Sequence, residues 1–409
     1  MKVYIGIDWS EEKHDLCILN ESGAVLKTWQ ISHTQSGFTE ILTTIQELGL
    51  EPQDCYIGIE TAYNLIFDFL TDWGYPALYL LPPSAVKACR LRYRQTPART
   101  DQSDAWLIAN LLRVDLDQFH SWQSSTPLAL QIRATVNLIL KLTRQAQRYT
   151  NQLRATLLRY YPAALQVFKQ LDCPLALQFI LSYPDPAVAQ ALTLQDFETF
   201  ARKNRFYQIK AITKAYLRLQ APQPDTPNIT SIIYQPIAIQ QATLLQQVLA
   251  ARKATQHRLK RLYAQHPDQH IYASLPGAGD FIEPALLSKL GDQRTRFPTP
   301  HSLQALAGTC PVTDRSGKSR RILFRTACDH DFRFIAQQWA RGSLRKSSWA
   351  RLYFSQTFQR SGSKSHAFRC LANRWLAILW RLWQDGIPYD ETVHMRNRMA
   401  RAKPLTTVS

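Results

Sequence analysis

Val3-Tyr4-Ile5-Gly6-Ile7-Asp8 decides the reading of this chain. An apolar run this short, ending on a carboxylate, reads as a buried strand that presents an acid where the sheet edge can face a ligand. Tyr56-Ile57-Gly58-Ile59-Glu60 repeats the pattern. Thr100-Asp101-Gln102-Ser103-Asp104-Ala105-Trp106-Leu107-Ile108 then opens a helical segment whose two carboxylates fall on one side. Local structure explains each acid singly: Asp8 as a turn cap, Asp101 and Asp104 as first-turn acids facing the helix dipole. Their matching placement on three segments favours a shared site. Carboxylates so arranged suit hard cations such as Mg²⁺, and two ions ~3.5–4 Å apart would serve phosphoryl transfer on nucleic acid.

Outward from these segments, residues 1–122 alternate strand and helix signals. Val3–Asp8, His14–Asn20 and Val25–Ser32 are short and β-like, with Asn20-Glu21-Ser22-Gly23 as the clearest turn. Gly37–Leu48 reads as a helix, Tyr56–Glu60 as a strand, Asn64–Trp73 as a helix and Ala77–Leu81 as a strand, before the helix that starts near Asp101. Three strands followed by helix, strand, helix, strand, helix is an α/β order with a mixed sheet. It is also the order of the ribonuclease H-like fold, including its RuvC branch. Arg90, Arg92, Arg94 and Arg99 precede the last acidic pair and can guide a phosphate backbone to it.

Composition points the same way. The 409 residues carry 49 Lys and Arg against 31 Asp and Glu, a balance of +18 that calls for a polyanionic partner. Nucleic acid is the partner favoured, with a membrane surface as the alternative, and no apolar run approaches the ~20 residues that span a bilayer. Lys2 leads directly into the first strand, so no signal peptide is expected. The 7 cysteines are scattered and never in a Cys-x-x-Cys pair, as in reduced, cytoplasmic proteins, which makes a zinc site unexpected.

Residues 123–268 read as a helical region with an insert. Within 126–160, Leu128, Ile132, Thr135, Ile139, Leu142, Ala146, Tyr149, Leu153, Thr156 and Tyr160 alternate spacings of four and three, a heptad seam. The segment would be roughly 50 Å long. It holds Arg133, Lys141, Arg144, Arg148, Arg154 and Arg159 and no acid, which favours a coiled-coil arm touching nucleic acid over a solvated bundle helix. Leu194–Leu219 and Ile237–Ala264 are further helical stretches, the second a partner for a hairpin.

Residues 269–383 form a third, mostly helical unit, and 384–409 read as a loosely ordered tail. Ser274-Leu275-Pro276-Gly277-Ala278-Gly279 precedes a helix over Phe281–Leu290, a turn suited to offer amides to a phosphate and similar in spacing to a helix-hairpin-helix motif. Residues 294–381 carry 17 Lys and Arg but 3 acids, interleaved with Trp339, Trp349, Trp375 and Trp380. Such aromatics stack on bases in single-strand binders, or else fill a helical core. In Thr313-Asp314-Arg315-Ser316-Gly317-Lys318-Ser319-Arg320-Arg321 a serine beside glycine sits among cations, open to a phosphate. The residues alone favour a phosphate-binding turn over a nucleophile, because serine needs a base and charge stabilisation to attack.

The combination resembles the DEDD-type insertion-sequence transposases, relatives of the Piv invertase also described as bridge-RNA-guided recombinases. Two blocks carry it, in the family's order. The first is Ile5–Ser10, Gly58–Thr61 and Arg99–Ala105. The second is Leu275–Gly279, Arg296-Phe297, Leu303–Gly308 and Arg315–Lys318. The resemblance implies a RuvC-like domain whose Asp8, Glu60, Asp101 and Asp104 bind Mg²⁺, with Mn²⁺ able to substitute. It implies that Ser316 attacks DNA and forms a phosphoserine link, in a site composed from two subunits. Arg99, Pro276, Gly277, Gly279, Arg315, Lys318, Arg320 and Arg321 are the matching nucleic-acid contacts. A dimer or tetramer, element-end and target DNA, a structured guide RNA and a nucleoid-associated bacterial setting are further implications. Gly308-Thr309-Cys310-Pro311-Val312 departs from the family's usual Gly-Leu-Ala-Pro-Arg, which leaves Ser302 and Ser319 as alternatives to Ser316. The rival activities are a structure-specific endonuclease that uses water, and a non-catalytic DNA- or RNA-binding protein.

Overall fold

Two glycines set the packing of the first unit. The computed structural model describes residues 1–60, 65–93, 101–122, 125–222, 228–317, 319–393 and 395–396, with Asp101, Gln102, Asn228 and Arg320 described in backbone alone. Strand β1 (Val3–Trp9) pairs antiparallel with β2 (Lys13–Asn20), and β2 with β3 (Val25–Ser32). Strand β4 (Cys55–Ile59) runs parallel beside β1, and β5 (Leu78–Leu80) parallel beside β4, giving the order β3-β2-β1-β4-β5. Apolar side chains on alternate positions face opposite ways. Ile5, Ile7, Leu16 and Ile18 meet helices α1 (Gln35–Glu47) and α2 (Leu65–Asp72) on one face. Tyr4, Cys17 and Leu19 meet α3 (Pro83–Tyr93) and α4 (Asp101–Val114) on the other.

Helix α4 lies directly on the sheet because Gly6 and Gly58, register partners on β1 and β4, have no side chains. A Cβ at Gly6 would come within 2.0 Å of the Ala105 carbonyl oxygen and 2.5 Å of the Ala109 nitrogen. The expected strands are all present. Helix α3 goes beyond the sequence reading, which passed from the strand near Leu80 straight to the helix at Asp101.

The second unit, Ser125–Ser409, is organised on two long helices. Helix α5 (Pro127–Tyr160) starts on the Thr126 cap, and its Pro127 is preorganised for a first turn. The return helix, α11 (Asn228–Tyr263), begins nine residues before the Ile237 expected as its start, and Pro236 lies inside it. Thr156 donates to Gln241 at 2.9 Å and the Arg159 guanidinium lies over Tyr234, so the two run antiparallel. Ile132, Ile139, Ala146, Leu153, Thr156 and Tyr160 of the heptad seam are buried within this chain, largely against α11. Three more cations of α5 are also engaged internally. Arg133 donates to the Ser288 carbonyl and Arg154 to that of Lys169, and Arg144 pairs with Asp331.

Five helices cap the far end of this hairpin: α6 (Pro162–Val167), α7 (Pro174–Ser182), α8 (Pro186–Gln190), α9 (Leu194–Lys203) and α10 (Ile209–Leu219). The single helix expected over 194–219 is thus broken in two, at Arg205, whose φ of 61° lies in the left-handed region.

The near end carries α12 (Gln269–Ala273), α13 (Gly279–Leu290), α14 (Pro300–Leu306), the hairpin β6 (Val312–Ser316) and β7 (Ser319–Leu323), then α15 (His330–Ser343), α16 (Ser348–Ser361) and α17 (Lys364–Asp385). Trp339, Trp349 and Trp375 are no base-stacking platform: they are at most 2 % exposed and pack on one another with centroids 4.6–4.9 Å apart. Trp380 donates its indole N–H to the Phe297 carbonyl. The start of the expected loose tail is docked as well. Glu391 accepts from the Ser348 amide and hydroxyl, and Tyr389 from the Trp349 indole. Among the described residues no helix is long and apolar enough to cross a membrane.

Candidate metal centre and serine hairpin

Asp8 lies at the carboxyl end of β1, on the α4 face, two residues beyond Gly6. Glu60 follows Ile59, whose register partner is Ile7, so the two acids leave neighbouring parallel strands at one level. That level is where open α/β sheets bind ligands. Asp104 is one residue before Ala105, whose carbonyl rests over Gly6. The glycine contact therefore brings the start of α4 to the same end of the sheet.

Asp104 Oδ2 accepts from Arg90 Nη2 at 2.6 Å, and both side chains are 17 % exposed. Asp104 Oδ1 and Arg90 Nε are each buried without a hydrogen-bond partner. Glu60 reaches solvent in part, yet burial of its carboxyl and then the Asp104 charge push it above the usual carboxylate range, with Arg90 pulling it back. A further acid went unread in the sequence. Asp15 on β2 is the register partner of Asp8 and is 4 % exposed, holding a bond from Gln30 at 3.1 Å. Like charges directly opposite on antiparallel strands repel. Alternation within the Lys13–Asn20 strand puts Asp15 on one face or the other, but only the hairpin register sets it across from Asp8.

In their chemistry, the carboxylates at this sheet end suit a divalent ion. The donors are all carboxylate oxygens, the choice of a hard cation. A buried oxygen of Asp104 lacks a partner, and such orphans are costly without one. Asp101 shares the helix start with Asp104, but its side chain is outside the described residues. Arg94 and Arg99 lie outside them altogether, and no cluster of three or more His, Cys, Asp and Glu groups with metal-holding geometry occurs among those described.

Ser316 belongs to the second unit. It closes β6 against Ser319 of β7, and Gly317, at φ 54°, takes the tight turn between them. The hairpin is solvent-exposed, and Arg315 stands across from Arg320 while Arg321 stands across from Asp314. Lys318 and the Arg320 side chain are outside the described residues. Ser302 is tied up as a helix-start residue, its hydroxyl donating to the Thr299 carbonyl at 2.6 Å.

The glycine turn before α13 has a packing role. A Cβ at Gly277 would lie 2.3 Å from the Gly342 carbonyl, so this turn is where α15 approaches closely. Pro276 accepts from the Trp339 indole, and the Gly279 amide donates to Glu283 of its own helix. With Glu283 and Asp280 at the helix start, the positive helix end already faces carboxylates, which weakens the expected phosphate site at Pro276, Gly277 and Gly279.

The class is that of transposases. A family model described as transposase, of the IS110 DEDD type, matches residues 5–162, and one described as transposase of the IS116/IS110/IS902 family matches residues 269–355. The chain belongs to the IS110 family of DEDD transposases. A Streptomyces coelicolor protein named as the candidate mini-circle transposase for IS117 is 26 % identical over 407 residues, 96 % of each chain. A 43.6 kDa protein of insertion element IS110 from the same organism is 24 % identical over 72 % of each chain.

Proposed function

We propose that this protein cuts and rejoins the DNA of a mobile element through a RuvC-like carboxylate centre and the hydroxyl of Ser316. Asp8, Glu60, Asp101 and Asp104 would hold Mg²⁺, or Mn²⁺ in its place, with Asp15 beside them. The ion would supply charge stabilisation and activation of an oxygen nucleophile when bound. The observation that carries the reading is the partnerless buried oxygen of Asp104, at the sheet end shared with Asp8 and Glu60. Exposure of Ser316 beside Arg315 suits attack on a phosphodiester: an Oγ–P bond forms, one backbone P–O bond breaks with its electron pair staying on the departing sugar oxygen, and that oxygen takes up a proton as the serine hydroxyl gives one up. Ser302 lacks this freedom. Ser319, across the hairpin, has the same exposure and is the control position.

The same reading takes element-end and target DNA as substrates, with a structured guide RNA and a dimer or tetramer as partners. The charge of +18 suits such polyanions. The test is a denaturing gel of protein incubated with Mg²⁺, flanking element DNA and co-expressed RNA. A protein–DNA adduct is expected for wild type and Ser319→Ala, and none for Ser316→Ala or Asp8→Ala. Cleavage without an adduct, indifferent to Ser316, would assign the endonuclease activity instead. DNA binding without cleavage, indifferent to Asp8, would assign the non-catalytic role.

A further inference from the structure

Beside the orphaned oxygen of Asp104, Arg90 keeps an orphaned Nε that the reading above leaves unused. The pair is held by a single bond, Nη2 to Oδ2, although arginine and carboxylate ordinarily meet through two. Each partner keeps one buried atom in reserve, a donor on Arg90 and an acceptor on Asp104. A buried ion pair of this sort is weak evidence for stability, since desolvation offsets most of its attraction. Both orphans are answered at once by one ligand that carries a cation and an acceptor oxygen together. A phosphodiester bound to a divalent ion is such a ligand: Asp104 Oδ1 would face the ion and Arg90 Nε would donate to a non-bridging phosphate oxygen.

We infer that Arg90 contacts the DNA phosphate and couples it to the cation. This inference rests on the metal-centre reading above. Without DNA, the Arg90 charge stands against the ion and holds its affinity down. With DNA, the phosphate is drawn by both, so ion and DNA each strengthen the binding of the other by the same factor. Lysine at this position would keep the charge and lose the planar fork that serves two acceptors.

The experiment is fluorescence anisotropy on a labelled mixed-sequence duplex at fixed ionic strength, with Ca²⁺ or with chelator, and a parallel Mn²⁺ titration of the protein alone. Wild type should bind the duplex on the order of tenfold more tightly with Ca²⁺. Arg90→Gln should lose most of that gain while binding Mn²⁺ alone more tightly. Arg90→Lys, which keeps the charge without the fork, should also lose most of the gain, and it serves if the glutamine variant does not fold, as judged by its melting curve. A full Ca²⁺ gain in Arg90→Lys or Arg90→Gln overturns the inference and leaves the metal centre standing. Absence of the gain in wild type, with Mn²⁺ binding indifferent to Asp104→Asn, overturns the metal centre and the inference with it.

Discussion

Replacing Gly6 with alanine tests how α4 positions the acids. The added Cβ would sit 2.0 Å from the Ala105 oxygen and 2.5 Å from the Ala109 nitrogen, both backbone atoms that cannot rotate aside. An ordinary carbon–oxygen contact is about 3.3 Å, so α4 must lift, or β1 buckle, by more than ~1 Å. Overpacking by one carbon costs about 1–3 kcal/mol in a close-packed core, and a backbone obstacle puts this case at the upper end. For a unit of this size that lowers the melting midpoint by on the order of 10 °C. A shift of ~1 Å in Asp104 relative to Asp8 costs on the order of 100-fold in rate. Gly58→Ala is the matched control. Its Cβ meets side chains rather than backbone, Ile108 Cγ2 at 3.0 Å, Leu81 Cδ1 at 3.1 Å and Leu112 Cδ2 at 3.5 Å, which need give by only a few tenths of an ångström. Calorimetry and the adduct assay read the two variants. Gly6→Ala with wild-type melting and wild-type adduct yield would refute the idea that this contact sets the site.

Two more outcomes are expected. His14 is buried beside His33, and burial followed by the His33 charge lowers its pKa from 6.5 to about 4. The folded state thus prefers neutral His14, and its contribution to stability is complete above 6.5 and drains away as pH falls toward 4. At about 1.4 kcal/mol per pH unit this is ~3 kcal/mol. Urea midpoints of wild type should therefore fall more steeply over that range than those of His14→Gln, and parallel curves would count against it. Leu153, fully buried beside α11, should cost several kcal/mol as aspartate, about what a large core deletion costs plus a buried charge. A fall in mass by light scattering with no loss of melting temperature would instead mark the seam as a surface between subunits.

The strand ends were legible because short apolar runs closed by Asp8 and Glu60 have few other readings. Register was not: that Asp15 faces Asp8 depends on which residues the first hairpin turn consumes. Helix α3 escaped because Pro83–Tyr93 mixes polar and apolar residues without a clear helical stripe. The seam of α5 announced a partner helix, but spacing of four and three cannot say whether that helix is on the same chain. Gly277 was read as a phosphate turn, and its reason for being glycine lies far along the sequence at Gly342. The tryptophans left two readings open, since arginines surround them in sequence, and Trp339, Trp349 and Trp375 take the core one by turning inward.

The paired helices α5 and α11 belong to two cores at once. Their near halves, with Ile132, Ile139 and Leu259, pack with the C-terminal helices, and their far halves, with Leu153, Tyr160 and Ala242, pack with α6–α10. Length can therefore be gained, lost or exchanged at the far end during descent while the serine hairpin keeps its footing.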